Sequence, residues 1–152
     1  MKEGADIPTI IEGGFAVDER GRLSFVNTFS FEGIKRFYQV ENSPKNPIRA
    51  FHGHMNEAKY FFMAAGSGLA VAVPIDNPLE PNKKNTVHRF FLSAQKPSVL
   101  YIPPGYANGY KILEDGAVLI VFSTSTLEES KQDSYRFPHD YWGEKVWDID
   151  YR

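Results

Sequence analysis

The chain has no cysteine. That excludes disulfide scaffolds, thiolate metal sites and cysteine nucleophiles, and it fits a reducing compartment. Long apolar runs are missing too. Ala117 to Phe122 is among the longest, far short of the roughly 20 residues of a membrane-spanning helix. The opening residues Met1-Lys2-Glu3-Gly4-Ala5-Asp6 carry acids where a secretory signal needs a basic and then an apolar region. The expectation is a cytoplasmic protein. Charge of one sign is also lacking: 17 Lys and Arg against 19 Asp and Glu leave a net charge of -2. Such a balance gives no general attraction to nucleic acid or a membrane surface.

What is present is aromatic. Twelve Phe, eight Tyr and two Trp stand beside twelve Gly and ten Pro. That mixture predicts short strands joined by tight turns rather than a helical bundle. At 152 residues the length is that of one domain, with an N-terminal arm over about residues 1–14 and a C-terminal tail over about 127–152.

Strand signals run along the chain. Phe15 to Val17 and Leu23 to Val26 flank Asp18-Glu19-Arg20-Gly21, a hairpin turn in which glycine can take positive φ. Ile34 to Val40 and Tyr60 to Ala64 are further candidates. Leu69-Ala70-Val71-Ala72-Val73 reads as a strand packed on both faces, ended by Pro74. Arg89 to Leu92 and Val99 to Ile102 follow. Asp115-Gly116, between Ile112 to Glu114 and Ala117 to Phe122, is a strong hairpin signal. Only Leu127 to Ser134 reads as helix. Many short strands with regular turns predict an all-β sandwich or barrel, a jelly roll enclosing a pocket being the favoured form.

Chemistry concentrates in Arg49-Ala50-Phe51-His52-Gly53-His54-Met55-Asn56-Glu57-Ala58-Lys59. In a strand, His52 and His54 are i and i+2 and share one face. The segment resembles the first motif of the cupin superfamily, and Pro103-Pro104-Gly105-Tyr106-Ala107-Asn108 resembles the second. Metal-binding cupins place glutamate where this chain has Lys59 and histidine where it has Asn108. An ammonium is no ligand, and an amide is a poor substitute for imidazole. The expectation is a metal-free, cofactor-free cupin.

These departures resemble one branch of cupins, the dTDP-4-dehydrorhamnose 3,5-epimerase family. The likeness runs from about Phe15 to Ser125. It is carried by Asp18 to Gly21, Gln39 to Ser43, the Arg49-to-His52 motif, Ala58-Lys59-Tyr60 and Tyr101 to Tyr110. The dTDP-sugar 3,4-ketoisomerases share Ile34-Lys35-Arg36-Phe37-Tyr38 and the His52-Gly53-His54 pattern.

The resemblance implies removal of a proton next to a ketone on a nucleotide-linked 4-keto-6-deoxy sugar. His52 would be the base, as imidazole titrates near neutrality. An aspartate from the tail would orient it, Asp140 first, with Asp148 and Asp150 open. Lys59 would face the developing oxyanion, and His54 would join the catalytic group. Arg20 and Arg49 would clamp the pyrophosphate. Gln39, Asn42, Tyr106 and Asn108 would touch substrate, while Tyr110 would pack in the core. The family tyrosine that donates a proton on the opposite sugar face is missing: Ser123 follows Phe122. Epimerase is placed first, 3,4-ketoisomerase second, and a non-catalytic sugar-binding cupin third. The resemblance also implies a homodimer in which an N-terminal strand, Ile7 to Ile11, completes the partner's sheet.

Overall fold

The computed structural model describes residues 7–150. In chain order the strands are β1 (Thr9–Glu12), β2 (Gly14–Asp18), β3 (Gly21–Phe25), β4 (Arg36–Val40), β5 (Ile48–His54), β6 (Lys59–Ala65), β7 (Ser67–Pro74), β8 (His88–Ser93), β9 (Ser98–Ile102), β10 (Tyr106–Ile112) and β11 (Val118–Ser123). A short helix α1 (Leu127–Lys131), the two-residue strand β12 (Tyr135–Arg136) and a 3-10 turn over Glu144–Trp147 complete the chain. No helix among the described residues is long and apolar enough to cross a membrane.

Two five-stranded sheets face each other. The first has the order β1-β9-β6-β11-β4 and the second β12-β5-β10-β7-β8; β2 and β3 form a separate ribbon. Among the described residues the strands pair antiparallel, for example β10 on both β5 and β7. This is the jelly roll the sequence predicts.

Between the sheets lies one core, built from inward residues such as Phe61, Met63, Leu100, Ile102 and Leu119. A second core sits on the outer face of the second sheet. Phe51, Val71, Val73 and Ala107 are capped there by Phe137, Trp142, Val146 and Trp147 of the tail. β7 is therefore buried on both faces, as its unbroken apolar run requires. Phe51 meets Trp142 edge to face at 4.9 Å and Trp147 at 5.5 Å, spacings favoured by the ring quadrupoles. The Asn77-to-Asn85 loop is tied to the tail, because Tyr141 Oη donates to Pro81 O and Trp142 Nε1 to Asn82 O.

Three local expectations change. Asp115-Gly116 does form a turn, with Gly116 at φ 75°, but it is not a hairpin. β10 belongs to the second sheet and β11 to the first, so the turn crosses between layers. Local turn chemistry cannot distinguish these cases, because sheet membership is set by distant partners. The helix ends at Lys131 rather than Ser134, and a capping box of Thr126 and Glu129 starts it. The N-terminal strand pairs within its own chain: Thr9 to Glu12 lie against Tyr101 to Ser98 of β9. The rest of the expected arm, residues 1–6, lies outside the described residues.

Candidate active site

A cavity of about 720 Å³ opens between the two sheets. Its walls come from alternate residues of facing strands. His52 and His54 project from β5, with Asn108 and Tyr110 beside them on β10. Arg36, Tyr38 and Val40 of β4 and Lys59 and Phe61 of β6 form the opposite wall. Period-two geometry brings His52 and His54 to one face, as the sequence predicts. Gly53 between them turns outward. A Cβ there would lie 2.5 Å from Ile75 Cδ1 and 3.2 Å from Phe137 Cε2, so a side chain would displace Ile75 and press on the tail.

The lining is cationic. Among the described residues around it are Arg36, Arg49, Lys59, Lys131 and Arg136, with Glu41 the one carboxylate. Such a site favours an anionic ligand. The cations also act on the groups within it. Burial first, then the charges of Lys59 and Arg136, with His54 and Arg49, push His52 down to about 4. This corrects the expectation of titration near neutrality: His52 is an unprotonated imidazole at neutral pH. Lys59 is pushed down to about 8, mainly by burial, with Glu57 pulling it up and Arg36 pressing it down. Tyr38 is pushed up to about 12 by burial, and its ring lies 5.0 Å beneath the Arg36 guanidinium.

The sequence-named residues divide. Gln39, Arg49, His52, His54, Lys59 and Asn108 line the cavity. Gln39 reaches it from the exposed face of β4. Arg20 does not line it. Its side chain is 85% exposed and folds back on Asp18 in the β2–β3 turn. Asn42 positions another residue: its Oδ1 accepts from Arg49 Nε at 2.5 Å while its Nδ2 donates to Pro47 O. Both Tyr106 and Tyr110 pack in the core, as expected for Tyr110 but not for Tyr106. Tyr106 lies against His88, away from the cavity lining, whereas Tyr110 also lines the cavity, its hydroxyl buried with no hydrogen-bond partner among the described residues. Burial pushes that hydroxyl up to about 12.

Asp140 sits on an exposed turn outside the cavity lining, and Asp148 and Asp150 are exposed as well. No carboxylate is among the groups that shift His52. The tail instead supplies Asp133. Its backbone O accepts from His54 Nδ1 at 2.7 Å, and its carboxylate accepts from Met55 N and Asn56 N.

Glu57 is the main residue that sequence reasoning missed. A strand continued past His54 would put Glu57 on the opposite face. β5 ends at His54, and the following bend folds Glu57 back beneath the site, 2% exposed. Its Oε1 lies 3.4 Å from His54 Nδ1, and its Oε2 accepts from Ser123 Oγ at 2.6 Å. Arg36 Nη2 is 3.7 Å away. No three His, Asp or Glu among the described residues are grouped to hold a metal ion. Arg36 and Tyr38 were legible as an i, i+2 pair on β4; Arg136, paired with His52 through β12, had no local signal.

The family model described as dTDP-4-dehydrorhamnose 3,5-epimerase matches residues 8–141. The chain belongs to the dTDP-4-dehydrorhamnose 3,5-epimerase family. Within that family of dTDP-sugar epimerases and isomerases, it is 26% identical over 126 residues to the spore coat polysaccharide biosynthesis protein SpsL of Bacillus subtilis (strain 168), covering 81% of this chain and 82% of that one. Its fold is similar to dTDP-4-dehydrorhamnose 3,5-epimerase from Elizabethkingia anophelis NUHP1, with TM-score 0.73, 21% identity, and coverage of 99% of this chain and 86% of that one. It is similar as well to QdtA, a sugar 3,4-ketoisomerase from Thermoanaerobacterium thermosaccharolyticum in complex with TDP, with TM-score 0.65, 20% identity, and coverage of 89% and 91%. The cupin-type fold of these epimerases is thus the fold of this protein.

Proposed function

We propose that this protein epimerises a nucleotide-linked 4-keto-6-deoxy sugar. One observation carries the reading: unprotonated His52 on β5 and protonated Tyr38 on β4 line opposite walls of one cationic cavity. Inversion needs a base on one sugar face and an acid on the other. His52 takes the proton from the carbon next to the ketone. The C–H electron pair becomes the C=C bond of an enolate, and the carbonyl π pair moves to oxygen, which the Lys59 ammonium faces. Tyr38 then gives a proton to the opposite face, and the enolate electrons restore the ketone. Solvent reprotonates Tyr38 and deprotonates His52. Arg49, held by Asn42, and Arg136 serve the diphosphate.

A 3,4-ketoisomerase is the second reading. It is favoured by two histidines on one face and by the lack of the family tyrosine over Ser123 to Leu127, since same-face proton return needs no opposing acid. Incubation with dTDP-4-keto-6-deoxyglucose in D2O, followed by NMR, separates the two. Deuterium at an inverted C3 or C5 supports the epimerase. A carbonyl moved to C3 replaces it with the ketoisomerase, and binding without exchange replaces both with a sugar-binding cupin. His52→Ala ends exchange and spares dTDP binding if His52 is the base.

The reading includes a homodimer. Phe31 and Phe37, 64% and 68% exposed around Phe122, are apolar surface for a second copy to cover. Sedimentation velocity of the full chain tests this, and a monomer at working concentration removes it.

A further inference from the structure

We infer that Glu57 is a positioning residue that acts through His54 and makes His54, not His52, the carboxylate-backed histidine of the site. This rests on the proton-transfer reading above and assigns a second proton carrier to it.

The geometry begins with the Asp133 carbonyl. A carbonyl only accepts, so the 2.7 Å contact to His54 Nδ1 places a proton on Nδ1. In the neutral ring Nε2 then carries the lone pair. With Nδ1 turned to the β5–tail junction, Nε2 is the nitrogen left for the cavity that His54 lines.

The carboxylate is held independently of the histidine. Ser123 Oγ donates to Glu57 Oε2 at 2.6 Å, and Ser125 N donates in turn to Ser123 Oγ at 3.0 Å. Arg36 stands 3.7 Å from the same oxygen. Oε1 is left buried with no hydrogen-bond partner among the described residues, 3.4 Å from His54 Nδ1. A buried carboxylate oxygen without a donor costs free energy. It is compensated when the ring beside it becomes an imidazolium, which is the state His54 reaches on accepting a proton at Nε2. Among the described residues no carboxylate is found acting on His52.

The groups facing His54 are Glu57 and Asp133, which favour its charged form, and Lys59, which with burial opposes it. Neighbouring His52 and the cross-strand Tyr106 complete its surroundings.

The test uses the full chain. Glu57→Gln keeps the shape and the bond from Ser123 while removing the charge. Histidine ring ¹⁵N NMR, without substrate, reads the His54 tautomer and titration. The wild type should give Nδ1–H with free Nε2, and Glu57→Gln should shift the His54 titration to lower pH. With the dTDP-4-keto sugar, kcat for C–H exchange should fall about tenfold or more while KM stays near the wild-type value, and Glu57→Asp should restore part of it. An unchanged His54 titration in Glu57→Gln overturns the inference, as does a wild-type ring protonated at Nε2. If the wild type exchanges no proton in this substrate, the proposed function fails, while the NMR arm still decides the role of Glu57. Should Glu57→Gln fail to fold, His54→Ala with unchanged exchange is the result that overturns it; loss of exchange with dTDP binding retained supports it.

Discussion

Ser123 donates a 2.6 Å hydrogen bond to Glu57, and both residues are buried, at 0% and 2% exposure. Ser123 opens the stretch to Leu127 that holds no tyrosine where the family resemblance leads one to expect one. The small hydroxyl leaves room for the carboxylate that folds back from the bend after β5.

Ser123→Ala should destabilise the fold by about 1–3 kcal/mol, because Glu57 Oε2 loses its donor in a buried setting. Urea unfolding monitored by tryptophan fluorescence measures it. A change below a few tenths of a kcal/mol means that Arg36 or water takes over the bond.

The pH profile follows from two groups. His52 is pushed down to about 4, so it is proton-free and able to accept above that pH. Lys59 is pushed down to about 8, so it keeps its charge only below that pH. kcat/KM should therefore rise through about 4, stay level across neutrality and fall through about 8. Lys59→Met should remove the alkaline limb and lower the plateau. A wild-type profile still rising above pH 9 would take Lys59 out of the oxyanion role.

Tyr38→Phe separates abstraction from inversion. The epimerase reading expects deuterium to enter with the base intact while inverted product falls by about 10²-fold or more. Chiral analysis of the sugar by NMR checks this. Full inversion in the variant assigns the acid elsewhere, Tyr110 being the next phenol on the cavity wall.

Trp147→Ala tests the tail as structure. The indole is 3% exposed, packs on Phe51 and donates from Nε1 to His139 O. Truncation should cost about 3–5 kcal/mol, read by urea unfolding. It should also weaken the cavity, since Phe51 and Phe137 back the strand that carries both histidines. A loss under about 1 kcal/mol would show the tail to be dispensable cover.

Legibility followed the range of the interactions. Strands β2, β3, β7 and β9 could be read because alternation and glycine turns are local properties. His52 and His54 could be placed on one face for the same reason. The Asp115-Gly116 turn was visible, but not that it leads from one sheet to the other. Tyr106 and Tyr110 share one face of β10, and nothing local distinguishes a ring under the β7–β8 edge from one at the open cavity. Asp140, Arg20 and Asn42 were implied by the family resemblance, and matching along the chain does not fix distance.

The sequence by itself determined an aromatic-rich, cysteine-free β chain with His52, His54 and Lys59 close together. Those features depend on composition and on spacings of a few residues. The tertiary structure decided which groups face them: Tyr38 across the cavity, Asp133 and Arg136 from the tail, and Ser123 and Glu57 beneath the ring of His54. Proton chemistry depends on contacts of a few ångströms between residues as distant in sequence as His54 and Asp133. Only closure of the two sheets brings such residues together, and burial between them then sets which hold their protons.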